Sequence, residues 1–212
     1  MAKILIQFAH PAFGKSKVHK TLVKYSRGLQ GVTFNDLYEL YPDLHIDVAR
    51  EKNLLLQHDI IVLQHPFYWY SGPAIIKQWL DLVLEYNWAY GPGGNVLEGK
   101  KMMSAISCGG SINAYTQGGY NRYPVTDFLL PFKQTAYLCK MNWLPPFVIH
   151  STYRQKAGGL EALASQYTDI LTALVNEQIA PEQYNQATYI NDIELAIADA
   201  GAVNITEGKT EN

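Results

Sequence analysis

The hydrophobic positions of this chain fall into two alternating kinds of segment. The first kind is a short unbroken apolar run: "KILIQFA" (Lys3 to Ala9), "DIIVL" (Asp59 to Leu63) and "KKMMSAIS" (Lys100 to Ser107). Each is too short for a stable helix and predicts a strand buried on both faces. The second kind carries apolar residues at helical spacing. Lys17 to Leu29 has Val18, Leu22 and Val23 behind Ser16 as N-cap, and Gly31 stops it. Asp47 to Gln57 repeats the pattern, and Pro73 opens a helix over Ala74 to Leu84 at the favoured first position. Val32 to Leu40 alternates loosely and predicts a second strand. Trp143 to His150 predicts a fifth, after Pro145-Pro146. Pro124 to Lys140 predicts a helix broken at Pro131. Gly159 to Gln178 predicts a long last helix with Leu160, Leu163, Tyr167, Ile170, Leu171 and Leu174 on one face. Ala180 to Asn212 is a polar extension of weak helical pattern, expected to fray.

Short apolar strands alternating with amphipathic helices imply an α/β fold, a parallel sheet covered on both faces. About five strands suit the flavodoxin-like, doubly wound arrangement. No GxGxxG follows the first strand, which weakens the dinucleotide-type alternative. The expected organisation is one flavodoxin-like, flavin-binding domain over 1–180 and a C-terminal extension over 181–212.

Composition narrows the function. The 212 residues carry a formal net charge of -2, with Lys and Arg in short clusters only, so nucleic acid is not expected as a partner. Cys108 and Cys139 form neither a disulfide framework nor a metal motif. No signal peptide and no apolar stretch of membrane-spanning length is evident. The expectation is a soluble cytoplasmic protein.

In such sheets ligands bind outside the carboxyl ends of the strands, where strand order reverses. That rule selects three loops, which are also the three with unusual chemistry. The first, His10 to His19, ends on the opening turn of a helix. Ser16, Lys17, Val18 and His19 there offer free backbone N–H groups, a hydroxyl and a ring N–H to a phosphate. Ser16 taken alone is more commonly a plain N-cap, and a histidine at a strand end, as His10 is, is often satisfied by backbone. The second loop, His65 to Gly72, contains "PFYWY". Pro66, Phe67, Tyr68, Trp69 and Tyr70 could wall a flat heterocyclic ring and present N–H groups to its edge. In an extended loop one aromatic in two would point inward. The third, Ser107, Cys108, Gly109 and Gly110, lets backbone approach a ligand closely. Tyr115 downstream could hydrogen-bond a ring that gains negative charge on reduction. Packing is the alternative for Tyr115, and a tolerated small residue in a tight turn the alternative for Cys108.

Taken together, "ILIQFAHP" with Ser16 and His19, then "PFYWYSGP", then "SCGGSINAY", resemble the flavodoxin-fold NAD(P)H:quinone oxidoreductases. The likeness is greatest to the bacterial subgroup of ancillary proteins of glutathione-gated potassium efflux, and spans roughly Ala2 to Gln178. It implies a flavin cofactor, FMN ahead of FAD, and NAD(P)H as reductant. It assigns His10, Ser16, Lys17, Val18 and His19 to the phosphate and ribityl side, the aromatic stretch to the ring edge, and Ser107 to Gly110 to the other side. Tyr115 becomes the catalytic residue supporting the reduced ring. The pattern has asparagine where His19 stands, often threonine at Cys108, and in some members a later histidine where Tyr120 or Asn121 stands. The implied reaction is a ping-pong transfer of two electrons to a quinone. The resemblance also implies a homodimer and, as an alternative role, peripheral association with a potassium-efflux transporter at the inner face of the cell membrane. A one-electron flavodoxin-type carrier would show a Ser/Thr-rich phosphate loop and strong acidity, and neither is present.

Overall fold

A strand points successive side chains to opposite faces of its sheet, so a strand covered on both sides must be apolar throughout. In the computed structural model, which describes residues 1–195, the elements run β1 (Ile4–Phe8), α1 (Lys17–Ser26), β2 (Val32–Asp36), α2 (Leu37–Leu40), α3 (Val48–Gln57), β3 (Ile60–Pro66), α4 (Ala74–Val83), β4 (Lys101–Ser107), α5 (Val125–Phe128), α6 (Leu130–Leu138), β5 (Asn142–Trp143), β6 (Phe147–Ile149), α7 (Ala157–Val175) and α8 (Pro181–Gln186). Strand order is β2-β1-β3-β4-β5, with β6 also on β4, and every pairing is parallel. Ile4, Ile6 and Phe8 of β1 join Ile60, Val62, Met103 and Ala105 in a core beneath α1 and α7. Leu5, Ile61, Leu63, Met102 and Ile106 face the other way, against α3, α4 and α6. This is the doubly wound flavodoxin-like fold, with its switch point between β1 and β3.

Several boundaries differ from the sequence reading, each for a local reason. β2 stops at Asp36, whose Oδ1 accepts the Glu39 amide at 3.3 Å and caps α2, so Leu37 to Leu40 is one helical turn and not strand. The fifth strand is two pieces, β5 and β6, because Pro145 and Pro146 cannot donate to the ladder. The helix expected over Pro124 to Lys140 divides at Leu129, just before Pro131.

The start of the C-terminal extension does not fray. Ile190 is 0% exposed and its amide donates to Pro146 O at 3.0 Å. The Asn191 side chain accepts from Val148 N at 2.9 Å and donates to Val148 O at 3.3 Å, doing for the open side of β6 what a neighbouring strand would do. The expectation for 196–212 lies outside the described residues.

Candidate functional site

The carboxyl ends of β1, β3 and β4 bring the three selected loops to one rim. His10 follows β1, and its Nδ1 accepts the Ala12 amide at 3.1 Å. Its ring meets His19 edge-on at 5.2 Å between centroids and Tyr68 at 6.1 Å. Ser16 caps α1, its Oγ accepting the His19 amide at 3.1 Å. Lys17 is exposed, whereas the Val18 side chain lies in the core under α1, so Val18 can offer a ligand only its backbone. His19 is fully buried. Its Nε2 lies 2.9 Å from Ser107 Oγ and its Nδ1 has no partner. Burial, then the neighbouring His10 and His65, hold its pKa well below the ordinary value.

The aromatic stretch is a tight turn and not an extended loop, which corrects the expected alternation. Tyr68 and Ser71 exchange two backbone hydrogen bonds of 3.0 Å. Trp69 and Tyr70 occupy the corners with φ of 49° and 61°, a type I′ hairpin turn made without glycine or asparagine. Left-handed backbone costs such residues about 1–2 kcal/mol each. Phe67 is buried and its amide donates to Ser107 O at 2.8 Å. Trp69 is 93% exposed. Tyr70 stacks on Phe128 at 5.0 Å and donates to Asn121 Oδ1 at 3.2 Å. Beneath the turn, His65 Nδ1 lies 3.0 Å from Pro66 O, its Nε2 has no partner, and burial pushes its pKa down to about 4.

Ser107 ends β4 and ties the three loops together, through its hydroxyl to His19 and its carbonyl to Phe67. The Cys108 amide donates to Ile149 O at 2.9 Å. Its thiol is buried, which pushes its pKa up to about 12 and keeps it protonated. A Cβ on Gly110 would come within 2.8 Å of the ring of buried Tyr115, so that position needs the bare backbone, whereas one on Gly109 would meet the ring of Tyr153, which is 93% exposed and can swing aside. Tyr115 is buried and boxed by Phe67 at 5.8 Å, Phe128 at 6.3 Å and His150 at 5.9 Å. Burial, with Cys108 and Tyr70 adding to it, raises its pKa to about 12, so its hydroxyl is a donor at neutral pH. Cys139 packs in the core at the end of α6.

The sequence reading missed a fourth loop, after β6, carrying His150 and Tyr153. It also left His65 without a role. His150 and Tyr153 follow the end of β6 and His65 is the penultimate residue of β3, so the same carboxyl-end rule could have found them. A cavity of about 520 Å³ lies behind the turn between α4 and α6 and is lined by Pro73, Ile76, Leu80 and Phe132 among others. It reaches Ser71 and Gly72 but none of the rim's titratable groups, so the rim geometry locates the chemistry better. Among the described residues, no cluster of ligands could hold a metal ion, and no helix is long and apolar enough to cross a membrane.

Residues 2–171 match the family described as having a flavodoxin-like fold, and the chain belongs to that family. It is 46% identical over 169 residues, 80% of this chain and 92% of the relative, to the glutathione-regulated potassium-efflux system ancillary protein KefG of Serratia proteamaculans. The KefG protein of Escherichia coli is equally similar, 46% over 170 residues, covering 80% of this chain and 92% of that one. Among solved structures, general stress protein 14 of Treponema denticola, in complex with FMN, superposes with a TM-score of 0.77 at 39% identity, covering 81% of this chain and 99% of that one. An NADPH-quinone reductase from P. pentosaceus gives 0.72 at 30% identity, covering 79% and 96%.

Proposed function

We propose that the protein is a flavin-dependent NAD(P)H:quinone oxidoreductase that uses FMN. The observation that carries this reading is the knot at Ser107. One residue binds His19 of the first loop and Phe67 of the second, so a helix N-terminus, an aromatic turn and a glycine-rich strand end form one rim. These residues fit a flavin. The opening amides of α1 with Ser16, Lys17, Val18 and His19 suit its phosphate, and the orphaned His19 Nδ1 is a polar atom suited to a ligand. His10 with Pro66, Phe67, Tyr68, Trp69 and Tyr70 would flank the ring system. Ser107, Cys108, Gly109 and Gly110 would give it a wall that is bare backbone at the two glycines. The FMN bound by the Treponema relative favours FMN over FAD.

Once held there, the flavin would supply two-electron transfer between NAD(P)H and a quinone, in the ping-pong order that the family resemblance implies. The chain's own contribution is electrostatic and steric. The Tyr115 hydroxyl, protonated at working pH, would donate to negative charge gathering on the ring edge. The rings of Phe67 and Phe128 pack against Tyr115, and Tyr70 packs against theirs. Exposed Trp69, Tyr120 and Tyr123 would suit a homodimer contact that completes the site. The decisive test is the visible spectrum of the purified protein. Flavin bands that bleach with NADPH and return with a quinone are expected; a colourless protein that takes up neither FMN nor FAD at saturation would end the proposal.

The KefG relatives favour a second, compatible role as a cytoplasmic ancillary subunit on a glutathione-gated potassium-efflux transporter. Co-purification with such a transporter from membranes, retained in a variant that no longer turns over quinone, would separate it from the first.

A further inference from the structure

Tyr115 is held from the side by a residue that neither the aromatic turn nor the glycine loop supplies. His150 follows β6, and its ring lies 5.9 Å from that of Tyr115, tilted by 49°. Its Nδ1 is 3.2 Å from Cys108 Sγ, either group being able to donate. On the far side the ring of Tyr189 meets it at 5.9 Å, edge-on at 70°. Its Nε2 is out of reach of solvent and has no partner in the protein. The backbone is fixed as well: Gln155 Nε2 donates to His150 O at 2.9 Å, and Ser151 N to Gly110 O at 2.9 Å.

Tyr189 is the unexpected member. It lies beyond residue 171, where the family match ends, on the extension that Ile190 and Asn191 dock against Pro146 and Val148. The turn is closed by the Asp192 carboxylate, which accepts the Tyr189 amide at 3.2 Å. The extension therefore reaches the inner wall of the site through one aromatic ring.

We propose that His150 is a positioning residue of the redox site: clamped between Cys108 and Tyr189, it fixes the orientation of Tyr115 and brings a titratable nitrogen to the site's inner wall. The inference rests on the flavin reading above. The titratable groups facing the ring are Cys108 from the end of β4, Tyr115 from the loop that follows and Tyr189 from the extension, with Asp192 behind Tyr189. Burial lowers the His150 pKa from the ordinary value, with a backbone hydrogen bond at Gly110 opposing, so the imidazole is neutral above the mildly acidic range. Protonation in that range adds positive charge beside Tyr115 and breaks the Cys108 contact when the thiol is the donor. The rate should therefore change with pH in a way that reports on this ring.

The test uses full-length, FMN-loaded protein. Anaerobic flavin reduction by NADPH is followed from about pH 5 to about pH 8, in wild type, His150→Gln, Tyr189→Ala and Tyr189→Phe. Wild type should show a break below the ordinary histidine value. His150→Gln should retain flavin, lose the break and run about tenfold slower, less than the roughly 10²–10⁴-fold that a general acid or base contributes, as suits a residue that positions another. Tyr189→Ala should move the break upward as the ring becomes hydrated, and Tyr189→Phe should behave as wild type. Independently of turnover, the His150 ring proton in wild type, followed by NMR, should titrate in the acidic range and shift on addition of FMN. A His150→Gln profile that keeps the break, or a ring signal indifferent to bound FMN, overturns the inference and leaves the flavin reading standing. Wild type that binds no FMN removes both. If His150→Gln loses its flavin, the NMR titration decides.

Discussion

On one side of the sheet the Glu51 carboxylate is fully buried and accepts from Gln7 at 2.7 Å, Asn35 at 3.1 Å, Tyr41 at 2.8 Å, Arg50 at 2.5 Å and Trp79 at 2.9 Å. At the carboxyl rim, His19, His65 and His150 are held with one ring nitrogen each left over. Both regions sink polar groups into a protein interior, which is costly without partners. The first is finished. Its carboxylate is saturated, it joins β1, β2, α3 and α4, and nothing in it asks for a ligand. The second is unfinished at the place where open α/β sheets bind their ligands. An unmet buried polar group costs about 1–3 kcal/mol, and a chain tolerates that where function needs it. The saturated cluster holds the fold; the orphaned one marks the site.

The largest expected effect breaks the saturated side. Glu51→Ala strands its donors and should lower unfolding free energy by about 3–5 kcal/mol in urea titrations. A loss under about 1 kcal/mol would mean the network is ornamental. Next comes acid lability on the rim. The ordinary His65 value of 6.5 falls to about 4 on folding, so its contribution is complete above 6.5 and is lost as pH drops toward 4. At about 1.4 kcal/mol per unit this one ring should account for about 3 kcal/mol. His65→Leu should flatten the fall in urea midpoint over that window, and an acid limb identical to wild type would rule this out. A smaller effect, about 1–2 kcal/mol, is expected from Asn191→Ala, read as a drop in Tm, because two backbone groups of Val148 lose their partner. The smallest has the opposite sign. Trp69→Gly should relieve left-handed strain and gain about 1 kcal/mol, while slowing quinone turnover. A stabilised variant with undiminished turnover would show that the turn's strain has no functional use.

The same contrast explains what could be read in advance. β1, β3 and β4 were legible because double-sided burial forces every position to be apolar, and their ends then located three of the four loops. The saturated network was not legible: Gln7, Asn35 and Glu51 are far apart in sequence and look like ordinary polar residues. The turn at Trp69 and Tyr70 was seen as a loop but not as left-handed, since that backbone normally selects glycine or asparagine. The α2 turn was readable from Asp36 and Glu39 at cap spacing, yet loose alternation suggested strand. The docking of 181–195 escaped notice because Ile190 and Ile193 are its only buried anchors of that kind in a polar segment.

The grip of Asn191 on Val148 has a consequence for how copies of this protein can meet. A bare strand at the margin of a sheet is a template on which another chain can polymerise. Here a single amide side chain occupies both backbone groups of the central residue of β6, so that margin is closed to strand addition by a neighbour.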